Sequence, residues 1–505
     1  MPGRRHQMDG RLLVVLAPLR HVSQPSRGGS SASPADRLFA ARAENSSKRP
    51  VRRIQRTSMP HMRRAAALLV ILPALTLAPW SASGYEPSGG VTFNVPNPWG
   101  SSAENTRIVR KVEEAFRHVR RTRRDPHPVI LVTGYLFDRD VSANALINAC
   151  RRGVSVRVII NRKVASRPLR KLVTALNADN VRDGDRDGIA DNDPRAGRCN
   201  RALPAQHDGL RQRGEGIPLM TARQTRRSLR RPTGQQVTWG ADGSYVLKCS
   251  GSCRGASDAN MHSKIYAMSS SGSANNVVMV SSSNLNGGGA KLGWNDLVVM
   301  KGRPKTFDFL VQVHRLMTAQ KRAGPDLLEL TDGPYTTRIF PIVGGKDRDP
   351  LLQDLRKIRC SSDLGRTSLH IQQFWWNGHR GNYLWDKIRN LARDGCKVKI
   401  IIGAVDRGLG RRMRDARRAG LIEFWDSRID TDMDGYVNTR THMKAVAVRG
   451  TYGTNRRYHG VWTGTANWSN GSLTRGDENT LNVRSARLWR RYVRYFTTVR
   501  NHSTR

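Results

Sequence analysis

Two short stretches of this chain set an imidazole two residues before an ammonium: His262-Ser263-Lys264 and His442-Met443-Lys444. No other of the 13 histidines opens a His-x-Lys. The residues downstream of each pair are also alike. The apolar run Val277 to Val280 leads into Ser281-Ser282-Ser283-Asn284, and Gly460 to Thr463 leads into Gly464-Thr465-Ala466-Asn467. His to Asn is 22 residues in the first set and 25 in the second. An acid comes next: Asp296, 12 residues after Asn284, and Glu478, 11 residues after Asn467. Lysine ammoniums and asparagine amides are the groups that neutralise and hydrogen-bond the oxygens of an anion. One neutral histidine can attack phosphorus while the other, protonated, hands a proton to a leaving alcohol. Asp296 and Glu478 are then expected to hold the far nitrogen of one histidine each and fix its tautomer. A phosphodiester is the substrate such a set suits, and it requires no metal.

The elements that must position these groups also occur twice. The first half runs through a β-rich Gly90 to Val95, an amphipathic helix over 103–121 and a strand from Pro128 to Thr133. A helix over 141–152, stopped by Gly153, and a strand from Val154 to Ile160 come after it. The second half repeats the order with Tyr335 to Phe340, a helix over 349–359 and a strand from Ser368 to Phe374. It continues with a helix over 381–394, stopped by Gly395, and a strand from Lys397 to Ile402. Alternating strands and helices of this length predict an α/β fold with a largely parallel or mixed sheet. Each chemical set lies late in its own half.

The duplicated constellation resembles the phospholipase D superfamily, whose signature is His-x-Lys, four residues, Asp, then Gly-Ser-x-Asn. The resemblance spans about residues 90 to 500. It implies two α/β/α halves, 85–325 and 326–505, forming one catalytic unit about a pseudo-two-fold. It also implies His262 as nucleophile and His442 as acid/base. The signature Asp is missing twice, because Ser269 and Arg449 stand in its places. Residues 204–257 read as an insertion in the first half.

The remaining features bound the setting. The formal net charge is +46, from 86 Lys+Arg against 40 Asp+Glu. Residues 1–64 hold 14 Lys+Arg and 3 Asp+Glu, so 72 basic and 37 acidic residues remain, a charge of +35. An anionic partner is expected: a phospholipid membrane surface first, nucleic acid second. Residues 1–61 read as an extension outside the fold. Met62-Arg63-Arg64, the apolar run Ala65 to Pro79 and Ser81 to Gly84 have the parts of a secretory signal over 62–84. A secreted chain is the expectation, and a monomer. Six cysteines remain after it, Cys150, Cys199, Cys249, Cys253, Cys360 and Cys396. Up to three disulfides are expected, Cys249 and Cys253 being close enough to pair.

Two stretches read as candidate structural calcium loops, Asp183, Asp185, Asp187 and Asp191, and Asp430, Asp432 and Asp434. Alternate carboxylates around a Gly turn suit a hard cation. Pro194 and Thr441 stand where the twelfth-position Glu belongs. Trp294, Trp375, Trp376 and Trp425 are candidates for the rim of a lipid-binding mouth. The basic runs Arg120 to Arg124 and Arg226 to Arg231 are candidates for tracking phosphates. The reading is a secreted phospholipase D-type phosphodiesterase that releases phospholipid head groups through a phosphohistidine. The alternatives are a nonspecific nuclease of the same superfamily and a catalytically impaired polyanion-binding protein.

Overall fold

The computed structural model describes residues 84–176, 244–318 and 320–504. The extension, the signal segment, the Asp183 to Asp191 stretch and Arg226 to Arg231 lie outside them. The run Val129–Gly134 is buried along its full length, as a strand covered on both faces must be. Its sheet has seven strands. Their order is Gly90–Phe93, Asp296–Met300, Ala274–Ser281, Ile265–Ser271, Val129–Gly134, Ser155–Asn161 and Tyr245–Cys249. The last three run parallel and the other neighbours pair antiparallel.

The second half repeats that order with Tyr335–Ile339, Asn479–Arg484, Asn455–Gly464, Lys444–Tyr452, Ser368–Gln373, Lys397–Ile402 and Glu423–Asp426. Parallel and antiparallel pairings fall in the same places. Leu328–Asp332 adds a strand beside Tyr335–Ile339. Parallel neighbours need a crossover, and the helices Asp140–Arg151 and Gly378–Arg393 supply it. Both end where expected. Gly153 (φ 83°) and Gly395 (φ 95°) take the left-handed conformation that closes a helix.

Three expectations change. The helix expected over 103–121 is two pieces, Ser102–Asn105 and Arg107–Arg117. Its end at Arg117 leaves Arg120 to Arg124 in an exposed loop. Residues 245–249, assigned by sequence to an insertion, are instead the edge strand of the first sheet. Trp294, Trp376 and Trp425 are buried core residues, which removes them from any rim. The strand Ile265–Ser271 is buried along its full length although it closes on three serines. Burial is tolerable there because Ser269 and Ser270 both donate to the Asp125 carboxylate at 2.6 Å, and Ser271 donates to Ala115 O at 2.9 Å.

Two long helices close the halves, Pro304–Thr318 and Ala486–Asn501. They share one core with the facing sides of both sheets. Leu131, Ile265 and Val280 come from the first sheet, Ala447, Val461 and Leu481 from the second, and Phe309 and Phe496 from the helices. The last helix also reaches across to the first half. Tyr495 stacks on Phe93 with centroids 3.9 Å apart, and its hydroxyl donates to Asn94 O at 2.7 Å. Tyr492 donates to the buried Asp296 carboxylate at 2.6 Å. Tyr492→Phe removes that donor while the acceptor stays buried. We expect a loss of about 1–3 kcal/mol, read by urea unfolding, with the fold retained.

Candidate active site

Each His-x-Lys enters the strand that begins at or just after its lysine, Ile265–Ser271 being preceded by Lys264 and Lys444–Tyr452 opened by Lys444. Alternation then sorts the side chains. The residue between points away: Ser263 donates to Asn479 Oδ1 at 2.8 Å, and Met443 is fully buried in the shared core. The lysines turn back onto their own histidines. Lys264 Nζ donates to His262 O at 2.8 Å and Lys444 Nζ to His442 O at 2.7 Å. An aromatic ring from the end of a parallel strand packs against each pair. Tyr135 lies 5.1 Å from the His262 ring, and Phe374 lies 4.6 Å from the His442 ring. Each also faces its lysine, with Nζ at 5.8 Å and 4.5 Å from the ring centre. These two rings had no sequence signal of their own.

The halves exchange contacts at the histidines. His262 N donates to Asp477 O, and His442 N donates to Trp294 O, both at 2.9 Å. The next residue in each case orients the imidazole. Glu478 Oε2 lies 2.8 Å from His262 Nδ1, and Asn295 Oδ1 lies 3.0 Å from His442 Nδ1. Glu478 therefore stands where the sequence placed it. Asp296 does not: its carboxylate is taken by Tyr492 and Thr463, and its neighbour Asn295 faces the histidine. The strand register explains the shift. Ser281 pairs with Leu297 and Gly464 with Thr480, so Asn295 is the counterpart of Glu478, and Asp296 that of Asn479. Counting 11 residues from Asn284, as in the second half, finds Asn295; searching for an acid does not.

This asymmetry sets the charges. Burial lowers the pKa of His262, Glu478 pulls it back up, and Lys264 and Lys444 push it down again, leaving it below the ordinary value. His442 has no such carboxylate. Burial, Lys444, Lys264, His262 and Arg440 all act in one direction and hold it well below. Burial tends to raise Glu478, but His262 and Lys264 outweigh it and keep it ionised. Of the two asparagines, Asn467 lines the cavity with His262. Asn284 Oδ1 accepts from Leu136 N at 3.2 Å. Asn467 lies on a loop fixed by the buried Arg380, which donates from Nη1 to Asn467 O at 2.8 Å and is itself held by Asp349. His262, Asn467 and Glu478 line a cavity of about 390 Å³, together with Trp375, Asn377, Asp258, Asn260 and Arg475.

The family profile described as "Cardiolipin synthase, PLD-like domain" matches residues 126–317 and 363–500, more than half of the chain. The chain belongs to the phospholipase D superfamily. Among solved structures, the chain is similar to phosphatidylserine synthase of Haemophilus influenzae Rd KW20, with 14% identity and a TM-score of 0.42, covering 82% of this chain and 87% of that one. Polyphosphate kinase of Porphyromonas gingivalis gives 12% identity and a TM-score of 0.42, covering 81% of this chain and 50% of that one. This chain thus spans half the length of that kinase. A yeast tyrosyl-DNA phosphodiesterase mutant gives 7% identity and a TM-score of 0.40, covering 79% and 89%. Comparison with curated protein sequences finds no match.

The missing phospholipase D signature Asp has a structural explanation in the first half. Ser269 lies five residues beyond Lys264, about 17 Å along an extended strand, too far to touch a substrate. The carboxylate that the serine lacks is brought by Asp125 from the preceding loop. In the second half Arg449 faces Trp489, with its guanidinium 5.9 Å from the ring centre. Neither change touches the four-residue core of His262, Lys264, His442 and Lys444.

The second Asp-rich loop is well formed. Asp430, Asp432 and Asp434 each offer a carboxylate oxygen within 4.8 Å of the others. Gly435 N donates to Asp430 Oδ2 at 2.7 Å. Thr441, in the place of a twelfth-position acid, is buried in the short strand beside Trp294.

The Asn295/Glu478 difference is testable. Asn295→Asp places a carboxylate on His442 Nδ1, so the His442 pKa should rise, as a neighbouring anion favours imidazolium. NMR titration of the ring carbons reads this, with His442→Gln to assign the signal. An unmoved His442 would contradict the geometry.

Proposed function

We propose that this chain is a phosphodiesterase that cleaves phospholipid head groups through a phosphohistidine on His262. The observation that carries this is the pairing of His262 Nδ1 with the buried Glu478 at 2.8 Å beside the cavity. It fixes the tautomer with Nδ1 protonated and Nε2 as the nucleophilic nitrogen. The phosphoryl oxygens would face Lys264, Lys444, Asn284 and Asn467, groups that stabilise added negative charge without rearranging. Burial and the neighbouring cations hold the His442 pKa well below its ordinary value, which favours the neutral ring before substrate arrives. An arriving anion raises its pKa, so it can take a proton as the diester binds and give it to the leaving oxygen. It then accepts a proton from water, which hydrolyses the His262–phosphorus bond; an alcohol in the same place would give transfer.

A lipid surface is favoured by what stands outside the site. Met433 and Tyr436, 92% and 64% exposed, cap the loop that runs through Thr439 into His442. An exposed Met and Tyr on a loop that leads into His442 suit a membrane interface. Trp375 on the cavity wall fits the same role. No helix among the described residues is long and apolar enough to cross a membrane. Secretion is proposed from the signal-like segment. The disulfides Cys249–Cys253 and Cys360–Cys396 support it, since such bonds persist in oxidising compartments. A nuclease is the second reading, favoured by the +35 charge left after residue 64.

His262→Ala is expected to abolish choline release from phosphatidylcholine. His442→Ala is expected to slow it about 10²–10⁴-fold, and with the good leaving group of bis(4-nitrophenyl) phosphate to give a burst with label retained on His262. Absence of any covalent label would refute the mechanism, and DNA degradation without lipid turnover would select the nuclease.

We further propose that the Asp430 loop takes calcium in a structural role, since its three carboxylates converge as a hard cation requires. Millimolar calcium should raise the melting temperature, and Asp432→Asn should remove the effect. An unchanged melting temperature in the parent protein would refute it.

A further inference from the structure

The wall of the cavity contains one ion pair that the chemistry above does not use. Arg475, from the second half, donates to the Asp258 carboxylate of the first. Both residues line the same cavity as His262, Asn467 and Glu478. Their side chains are about half exposed, 50% and 60%. Their main chains are firmly placed. Ala256 N donates to Arg475 O at 2.9 Å, and a Cβ at Gly255 would lie 1.9 Å from the same oxygen. Only glycine permits that approach, which sets the Asp258 loop directly against Arg475. The loop is stapled at its start by Cys249–Cys253 and tied to Asp477, through Cys253 N and Arg254 N.

An ion pair this exposed contributes little to stability because water screens it, so a ligand can insert between its members at little cost. The two charges are opposite and adjacent. A ligand group that carries an ammonium and a carboxylate on one carbon would replace one ion pair by two, with Arg475 gripping the carboxylate in its bidentate mode. The neighbouring wall is neutral and hydrogen-bonding, with Asn260, Asn377, Ser469 and Asn470. Glu478 does not compete there, because it is committed to His262 and Ser472.

Resting on the phosphodiesterase reading, we infer that Arg475 and Asp258 form a head-group subsite for a zwitterionic amino-acid alcohol. The substrate class is a glycerophospholipid whose leaving group is esterified serine. Arg475 takes the carboxylate and Asp258 the ammonium, in the cavity that His262 also lines.

Phosphatidylserine and phosphatidylethanolamine differ by that one carboxylate, so vesicles of each give the test. The parent protein should release serine with a kcat/KM about tenfold or more above that for ethanolamine. Arg475→Gln should bring the ratio close to one, chiefly through KM. Asp258→Asn should weaken both substrates relative to phosphatidylglycerol, which lacks the ammonium. Both side chains are exposed, and circular dichroism checks that the variants fold. Equal rates for the two lipids in the parent, or a ratio that Arg475→Gln leaves unchanged, would overturn the inference. If the parent cleaves bis(4-nitrophenyl) phosphate yet shows no lipid preference, the subsite fails and the phosphodiesterase reading stands. If it cleaves neither ester nor lipid, that reading fails first. A loss confined to oligonucleotide cleavage in Arg475→Gln would overturn the lipid assignment.

Discussion

Each histidine of the His-x-Lys pairs is oriented by the half to which it does not belong. His262 of the first half rests on Asp477 and Glu478 of the second, and His442 of the second rests on Trp294 and Asn295 of the first. Neither half alone has an oriented imidazole. The shared core answers this requirement. Both sheets turn one face inward, and the helix Ala486–Asn501 reaches back to Phe93, Asn94 and Asp296. A rigid apolar interior is what holds two exchanged hydrogen bonds to within a few tenths of an ångström.

The exchange is symmetric in backbone and asymmetric in charge. A carboxylate faces His262 and an amide faces His442. Two similar histidines flanked by two lysines would otherwise titrate alike. Glu478 splits them: it partly offsets burial and lysine repulsion at His262, while at His442 burial and the neighbouring cations all press the same way. In the mechanism we propose, a bound phosphodiester supplies the missing negative charge at His442 and so ties its protonation to arrival of the substrate.

The net charge takes on a narrower meaning in this setting. A charge of +35 after residue 64 draws any anion toward the surface. On the proposed reading, choice among anions rests on a few placed groups, since a polar wall, Trp375 and the Asp258–Arg475 pair line the same cavity as His262. The Asp absent from the first His-x-Lys signature shows the same economy. A carboxylate from Asp125 fills the position through Ser269, because a buried strand end needs its polar groups satisfied from somewhere and not from one residue in particular.

The sequence by itself determined the duplication and the α/β alternation, and it singled out His262, Lys264, His442, Lys444, Asn284, Asn467, Asp296 and Glu478 as one candidate set, from which the fold diverts Asp296 to Tyr492 and Thr463. Those features are local: a period of two, a helix stop at glycine, an asparagine after a strand. Strand Lys397–Ile402 and the stops at Gly153 and Gly395 were legible for that reason. What was not legible is what depends on partners distant in the chain. Asn295 became an orienting residue only through the register that makes it the counterpart of Glu478. Tyr135 and Phe374 met the lysines only once parallel strands delivered them. The buried serine-rich strand was masked by a polar sequence whose hydrogen bonds lie more than a hundred residues away. Composition and spacing name the groups that can do chemistry. Which group faces which is decided by strand register and packing, because a shift of one residue turns a side chain to the opposite face.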